Sequence, residues 1–213
     1  MFYLTQDSGF PDPSEADSDG LLAVGGDLTL ERLLLAYNSG IFPWYENNQP
    51  ILWWSPSLRM VLYPEKMKVS KSLRKLINKG VYQVTFNMAF SDIIKNCATI
   101  KREGQGGTWI TEEMQKAYVD LHKLGYAISV EVWRNKNLVG GLYGIDLAKK
   151  KVFCGESMFS LESNASKIGF YYLVSELAKK DYKIIDCQLY TAHLESLGAE
   201  EISREEFLQI LEN

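Results

Sequence analysis

Nine consecutive residues, Val152-Phe153-Cys154-Gly155-Glu156-Ser157-Met158-Phe159-Ser160, restrict the fold more than any other stretch of the chain. They open as a short apolar run, which suits a strand buried on both faces. A lone carboxylate, Glu156, then stands where a simple core strand would carry another apolar side chain. Strand alternation places Glu156, Met158 and Ser160 on one face and Ser157 and Phe159 on the other. A carboxylate beside a thioether describes a pocket that is apolar in its body and anionic at one point. The competing reading is an edge-strand glutamate in solvent. Asn164 is expected to cap a following helix in which Phe170, Leu173, Val174 and Leu177 share a face. Strand, polar turn and packed helix in that order make a good place for a ligand.

The chain has 213 residues and is 46% apolar, enough for one large domain or two small ones. A net charge of -4 and a pI near 5.3 argue against a protein that coats nucleic acid nonspecifically, and leave room for a local basic patch. Cys97, Cys154 and Cys187 have no metal-ligand spacing, and an odd number of cysteines fits free thiols in a reducing compartment. His122 and His193 have no partner at ligand spacing, so neither a metal nor a cofactor is expected. No signal peptide and no apolar window of membrane length is found, which makes the cytoplasm the expected location.

Residues 8–20 read as a loop, followed by a short strand, Leu21-Leu22-Ala23-Val24, and a Gly25-Gly26-Asp27 turn. A helix is expected from about Thr29, with Leu30, Leu33, Leu34 and Tyr37 on one stripe and Gly40 as its stop. Three of the five tryptophans then fall close together, at Trp44, Trp53 and Trp54. Aromatics on irregular backbone plug cores or stack unpaired bases; Trp53 reads as core, and Trp44 stays open between the two. Between Tyr63 and Lys79 the charge inverts, with Lys66, Lys68, Lys71, Arg74, Lys75 and Lys79 against one acid, Glu65. Such a run is either a solvated helix face or a phosphate-contact surface, helped by Lys101 and Arg102. Further on, strands joined by tight turns precede a strand-helix-strand crossover, so an α+β or α/β domain of acyltransferase type is expected.

A second polar intrusion closes the last clear strand, Lys183 to Gln188. Asp186 and Gln188 are two residues apart, hence on one strand face opposite Ile185 and Cys187. If this strand neighbours the one holding Glu156, three polar groups converge on one crevice. The alternative for Asp186 is a helix-capping carboxylate at a strand end.

Taken in order, Gly25-Gly26-Asp27-Leu28, Gly40-Ile41-Phe42-Pro43-Trp44, Trp53-Trp54-Ser55-Pro56, Thr108-Trp109-Ile110, Gly140-Gly141-Leu142-Tyr143-Gly144, Gly155-Glu156-Ser157-Met158-Phe159-Ser160, Asp186-Cys187-Gln188 and Ser196-Leu197-Gly198-Ala199 resemble the leucyl/phenylalanyl-tRNA–protein transferases of the bacterial N-degron pathway. The resemblance implies an α+β chain with a small N-terminal α/β domain over residues 1–60 and a GNAT-like acyltransferase domain over 61–213. It implies transfer of Leu, Phe or Met from aminoacyl-tRNA to acceptor proteins with N-terminal Arg or Lys. By the same carry-over Asp186, Gln188 and Glu156 are the catalytic candidates, with Glu156 binding the acceptor or acting in catalysis. Met158, Phe153, Ile185, Leu142, Phe170, Leu173 and Leu177 match the aminoacyl pocket. Trp44 and Trp109 match the site of the tRNA 3′-adenosine. The basic run assigns Lys71, Arg74 and Lys75 to tRNA phosphates. Leu173 and Leu177 stand where some members carry aromatics, which implies a pocket wall of different shape.

The aminoacyl ester is already activated, so such a site must mainly position an amine, stabilise an oxyanion and pass a proton to the leaving ribose oxygen. An amide is too weak a base to hold that proton, so Gln188 reads as an acceptor orienting the amine, with Asp186 fixing the amide. Glu156 offers charge to an Arg or Lys side chain. No Ser-His or Cys-His pair suggests a covalent intermediate, and Cys154 and Cys187 are expected to point into core. An acetyl-CoA-dependent N-acetyltransferase would need a glycine-rich turn where this chain has Ser160-Leu161-Glu162-Ser163-Asn164-Ala165. A noncatalytic RNA-binding module using Trp44, Trp109 and the lysines is the third reading.

Overall fold

The computed structural model describes residues 2–100 and 108–212. The chain begins with β1 (Phe2–Leu4) and β2 (Leu21–Gly25), which pair in parallel. The Thr29 hydroxyl accepts from Arg32 N and starts α1 (Leu30–Asn38), and Gly40, at φ 75°, ends it. Two short strands, β3 (Phe42–Pro43) and β4 (Leu52–Trp54), complete a four-stranded sheet of order β1-β2-β4-β3. Trp53 is fully buried and donates its indole N–H to Gly25 O at 2.9 Å, so its reading as core holds.

The rest of the chain builds a seven-stranded sheet. It contributes β5 (Leu58–Leu62), α2 (Lys71–Asn78), β6 (Gln83–Phe86), α3 (Phe90–Thr99), α4 (Glu112–Lys123), β7 (Ala127–Arg134) and β8 (Asn137–Leu147). Next come β9 (Val152–Ser160), α5 (Ala165–Lys179), β10 (Ile184–Asp186), α6 (Ala192–Ser196), β11 (Glu200–Ser203) and α7 (Arg204–Glu212). The strand order is β11-β5-β10-β9-β8-β7-β6, antiparallel throughout except for β9 and β10. The expected α+β class, a small sheet followed by a larger one, is what the structure has. One face of the large sheet packs with α1, α3, α4 and α7 in a core shared with the small sheet; the other face packs on α5 through Phe170, Leu173, Val174 and Leu177. Among the described residues no helix is long and apolar enough to cross a membrane.

Three local expectations are corrected. Asn164 does not cap α5: it sits at φ 67° and hydrogen-bonds Ser163, while the Ser160 hydroxyl accepts from Ser166 N at 3.1 Å. The alternation expected along β9 is broken, because Tyr143 pairs with Ser157 while Gly144 pairs with Gly155, which leaves Glu156 as the extra residue of a β-bulge. Gly144 makes this possible, since a Cβ there would lie 2.2 Å from Cys154 O. Beyond the bulge the strand is out of phase, so Glu156 reaches Tyr118 in the shared core whereas Met158 packs with Phe153 and Leu142 on the α5 side. Finally, β10 ends at Asp186, and Gln188, at φ 58°, is not on the strand face that Asp186 occupies.

Candidate active site

The parallel pair β9 and β10 stays together for only three residues, Ile184 with Val152, Ile185 with Phe153 and Asp186 with Cys154. Past that point the chain leaves β9 and stays with β5: Cys187 N donates to Met60 O at 2.8 Å, and Met60 N donates to Gln188 O at 3.1 Å. The two strands therefore part, and a cavity of about 450 Å³ opens where the next ladder bonds would have formed. Its wall is mostly apolar, as small-molecule sites are.

Of the expected aminoacyl-pocket residues, Met158, Phe153, Ile185, Leu142 and Phe170 line this cavity. Leu173 and Leu177 are buried in the same apolar cluster, packed behind that wall. Trp44 and Trp109, brought from separate parts of the chain, also line it. Trp44 is 38% exposed; its ring lies 5.7 Å from that of Trp54, whose indole N–H donates to Trp44 O at 2.7 Å. One indole thus holds the other at the rim. Cys154 is buried as expected, but Cys187 lines the cavity, because the chain has already turned out of the strand at that residue.

Glu156 and Gln188 meet in the cavity. The Gln188 Nε2 group donates to Glu156 Oε1 at 3.3 Å, which leaves the amide oxygen as the acceptor end of Gln188. Tyr118 donates its hydroxyl to Glu156 Oε2 at 3.1 Å, and the Tyr37 hydroxyl is hydrogen-bonded to that of Tyr118. Burial pushes the Glu156 carboxyl up to about 7; the Tyr37 and Tyr118 hydroxyls pull it back, Asp186 adds repulsion and Arg59 opposes that. The same burial, with the Glu156 charge next, holds both phenols well above the ordinary tyrosine range.

Asp186 stands behind this wall. It is fully buried, and Arg59 Nε and Nη2 donate to its Oδ1 and Oδ2, each at 2.8 Å. The guanidinium also donates to Gly40 O at 3.2 Å and lies between the rings of Phe42 and Phe207, at 4.7 and 4.6 Å. Asp186 Oδ1 accepts from Gln188 N at 2.9 Å as well, which fixes the left-handed turn that aims Gln188 at Glu156. Sequence reasoning missed Arg59, Tyr37 and Tyr118. Arg59 carried a signal, an arginine inside the otherwise apolar run Leu58-Arg59-Met60-Val61-Leu62, whereas the two tyrosines were indistinguishable from core stripe residues.

The basic run forms α2, capped by the Ser70 hydroxyl on Leu73 N. Leu73 faces inward, and Lys71, Arg74 and Lys75 are exposed away from the cavity. Lys101 and Arg102 lie outside the described residues.

With this geometry in hand, two family models account for most of the chain: residues 61–212 match the leucyl/phenylalanyl-tRNA protein transferase model, and residues 26–57 match the model of that family's N-terminal domain. The chain belongs to the leucyl/phenylalanyl-tRNA protein transferase family. A relative named leucyl/phenylalanyl-tRNA–protein transferase in Flavobacterium johnsoniae is 59% identical over 213 residues, 100% of both chains. One of the same name from Maridesulfovibrio salexigens is 56% identical over 213 residues, covering 100% of this chain and 88% of that one. Among solved structures, a GCN5-related N-acetyltransferase from Kribbella flavida aligns with a TM-score of 0.42 at 10% identity, over 80% of this chain and 60% of that one.

Proposed function

We propose that the cavity between β9 and the turn after β10 is where the amino acid of an aminoacyl-tRNA meets the N-terminus of an acceptor protein. The protein is an aminoacyltransferase of this family. The observation that carries the assignment to this cavity is the meeting of three features in one space: an apolar wall, two indoles, and a half-buried carboxylate held near 7.

On this reading Met158, Phe153, Leu142, Phe170 and Ile185 receive the side chain of Leu, Phe or Met, with Leu173 and Leu177 backing the wall. Trp44 and Trp109 take the terminal adenosine by stacking, a contact worth roughly 1–3 kcal/mol per base. Glu156 receives the cation of an N-terminal Arg or Lys, and that cation in turn favours the ionised carboxylate. Gln188, anchored on Glu156 through its Nε2, turns its amide oxygen to the attacking amine. Asp186 acts through Gln188 as a positioning residue. The new N–C bond forms as the ester C–O bond breaks, and the amine's proton ends on the ribose oxygen. Lys71, Arg74 and Lys75 contact tRNA phosphates from α2. A boundary near residue 60, a cytoplasmic location and a role in marking proteins for N-degron degradation belong to the same proposal.

The acetyl-CoA alternative is less well supported, since the Ser160 hydroxyl already occupies Ser166 N at the start of α5 and the turn there has no glycine. The test is transfer of labelled leucine from leucyl-tRNA to peptides beginning with Arg, Lys or Ser. Label in the first two and little in the third supports the assignment. Equal labelling of all three, or of none, rules it out.

A further inference from the structure

A second cleft, of about 290 Å³, lies on the other side of α6 from the cavity. Thr191, His193 and Leu194 line the cavity, while Ser196 and Leu197 line the cleft, so about one helical turn, ~5 Å, separates the two. The far wall of the cleft is the segment leading into α2, with Lys68, Ser70 and Leu73, and Lys167 enters from the first turn of α5. This wall is fixed in place. Lys68 N donates to Leu197 O at 2.8 Å, and Gly198, at φ 103°, lets α6 close onto Lys66, where a Cβ would lie 2.4 Å from the carbonyl oxygen.

The charge in the cleft is one-sided. No acid lines it, and neither Lys68 nor Lys167 has an ion-pair partner among the described residues. Three acids on neighbouring elements are committed elsewhere: Glu162 to Arg134 and Tyr82, Glu195 to Tyr190, and Glu200 to Lys66. Partial burial, and after it the Lys167 charge, lower the pKa of His193, which lines the cavity. Two lysines without an ion-pair partner lining one cleft form a receptor for an anion that arrives along α6; the Ser70 and Ser196 hydroxyls there are already bonded, to Leu73 N and to His193 O.

We propose that this cleft binds the phosphodiester next to the terminal nucleotide of the donor RNA, and so bridges the cavity and the exposed basic face of α2. The inference rests on the reading of the cavity as the aminoacyl-adenosine site. A single strand leaving the cavity past His193 meets Lys167 and Lys68 before it reaches Lys71, Arg74 and Lys75.

The experiment compares two donors, leucyl-tRNA and a 3′-leucyl ester of adenosine that has no phosphate, in wild type and in a Lys68→Ala, Lys167→Ala double variant. The double variant should raise KM for leucyl-tRNA severalfold, flatten its salt dependence by ~0.7 in slope per lost contact, and use leucyl-adenosine as well as wild type does. The latter rate also reports that the variant is folded. Lys68→Arg with Lys167→Arg should restore leucyl-tRNA use. Equal loss with both donors, or no loss with either, overturns the proposal for the cleft. Failure of wild type to use either donor overturns the reading of the cavity itself, a separate and recognisable result.

Discussion

At the scale of single residues, the buried pair Arg59–Asp186 and the half-buried Glu156 set the behaviour of the site. Asp186→Asn would leave a guanidinium that is 2% exposed without its counterion, a loss worth about 3–5 kcal/mol. Chemical denaturation should show a drop of that size, and adding Arg59→Met should recover part of it. A cost of under about 1 kcal/mol for Asp186→Asn would mean that the pair does not hold the turn at Gln188. Glu156 gives a prediction in pH. Its carboxyl is raised from 4.5 to about 7, so folding takes up a proton between those values and the stability it contributes is lost as pH rises through that window. The whole effect is on the order of 3 kcal/mol. Glu156→Gln removes this slope, so the variant should gain on wild type in urea-melt midpoint from about pH 4.5 to about pH 7; parallel curves would show that Glu156 titrates normally. The composition of the site was legible residue by residue, since Glu156 and Asp186 each interrupt an apolar run. Their partners were not, because Arg59 and Asp186 are 127 positions apart and alternation does not reveal a bulge.

At the scale of elements, periodicity and caps located most helices: Thr29 and Gly40 bracket α1, Thr111 starts α4, and Ser203 accepts from Glu206 N at the start of α7. The short strands β1, β5 and β11 were hidden, since three to five residues show too little alternation to stand out, at a sheet edge as in β1 and β11 or inside the sheet as in β5. The parting of β9 from β10 was equally hidden, because it follows from β5 capturing the chain after Asp186. The basic face of α2 was plain, and its role can be measured. Neutralising Lys71, Arg74 and Lys75 together should flatten the salt dependence of tRNA binding by roughly 0.7–0.9 in slope for each lost phosphate contact. Leu73 remains as the helix's buried anchor, so the fold should persist. An unchanged slope would return these side chains to the role of a solvated surface.

At the scale of the molecule, the cavity belongs to both sheets. Phe42, Pro43 and Trp44 come from the N-terminal part, and the rest of the wall comes from the larger sheet and the helices and turns attached to it. Arg59 ties Gly40 O and the Phe42 ring to Asp186, and the Tyr37–Tyr118 contact carries the same join to Glu156. Neither part can form the site alone, and the polar groups at its centre depend on how the parts meet. The most direct measurement is the pH dependence of kcat/KM for an Arg-starting peptide at saturating leucyl-tRNA, from about pH 5 to about pH 9, in wild type and Glu156→Gln. Wild type should show one limb near 7 from Glu156 and a second set by the peptide's own α-amino group, at about 7.7–8.0. Glu156→Gln should keep only the second, with a raised KM for the Arg peptide and little change for a peptide starting with an uncharged residue. A limb near 7 that survives in Glu156→Gln, with equal losses for charged and uncharged peptides, would contradict the assignment of Glu156 to the acceptor.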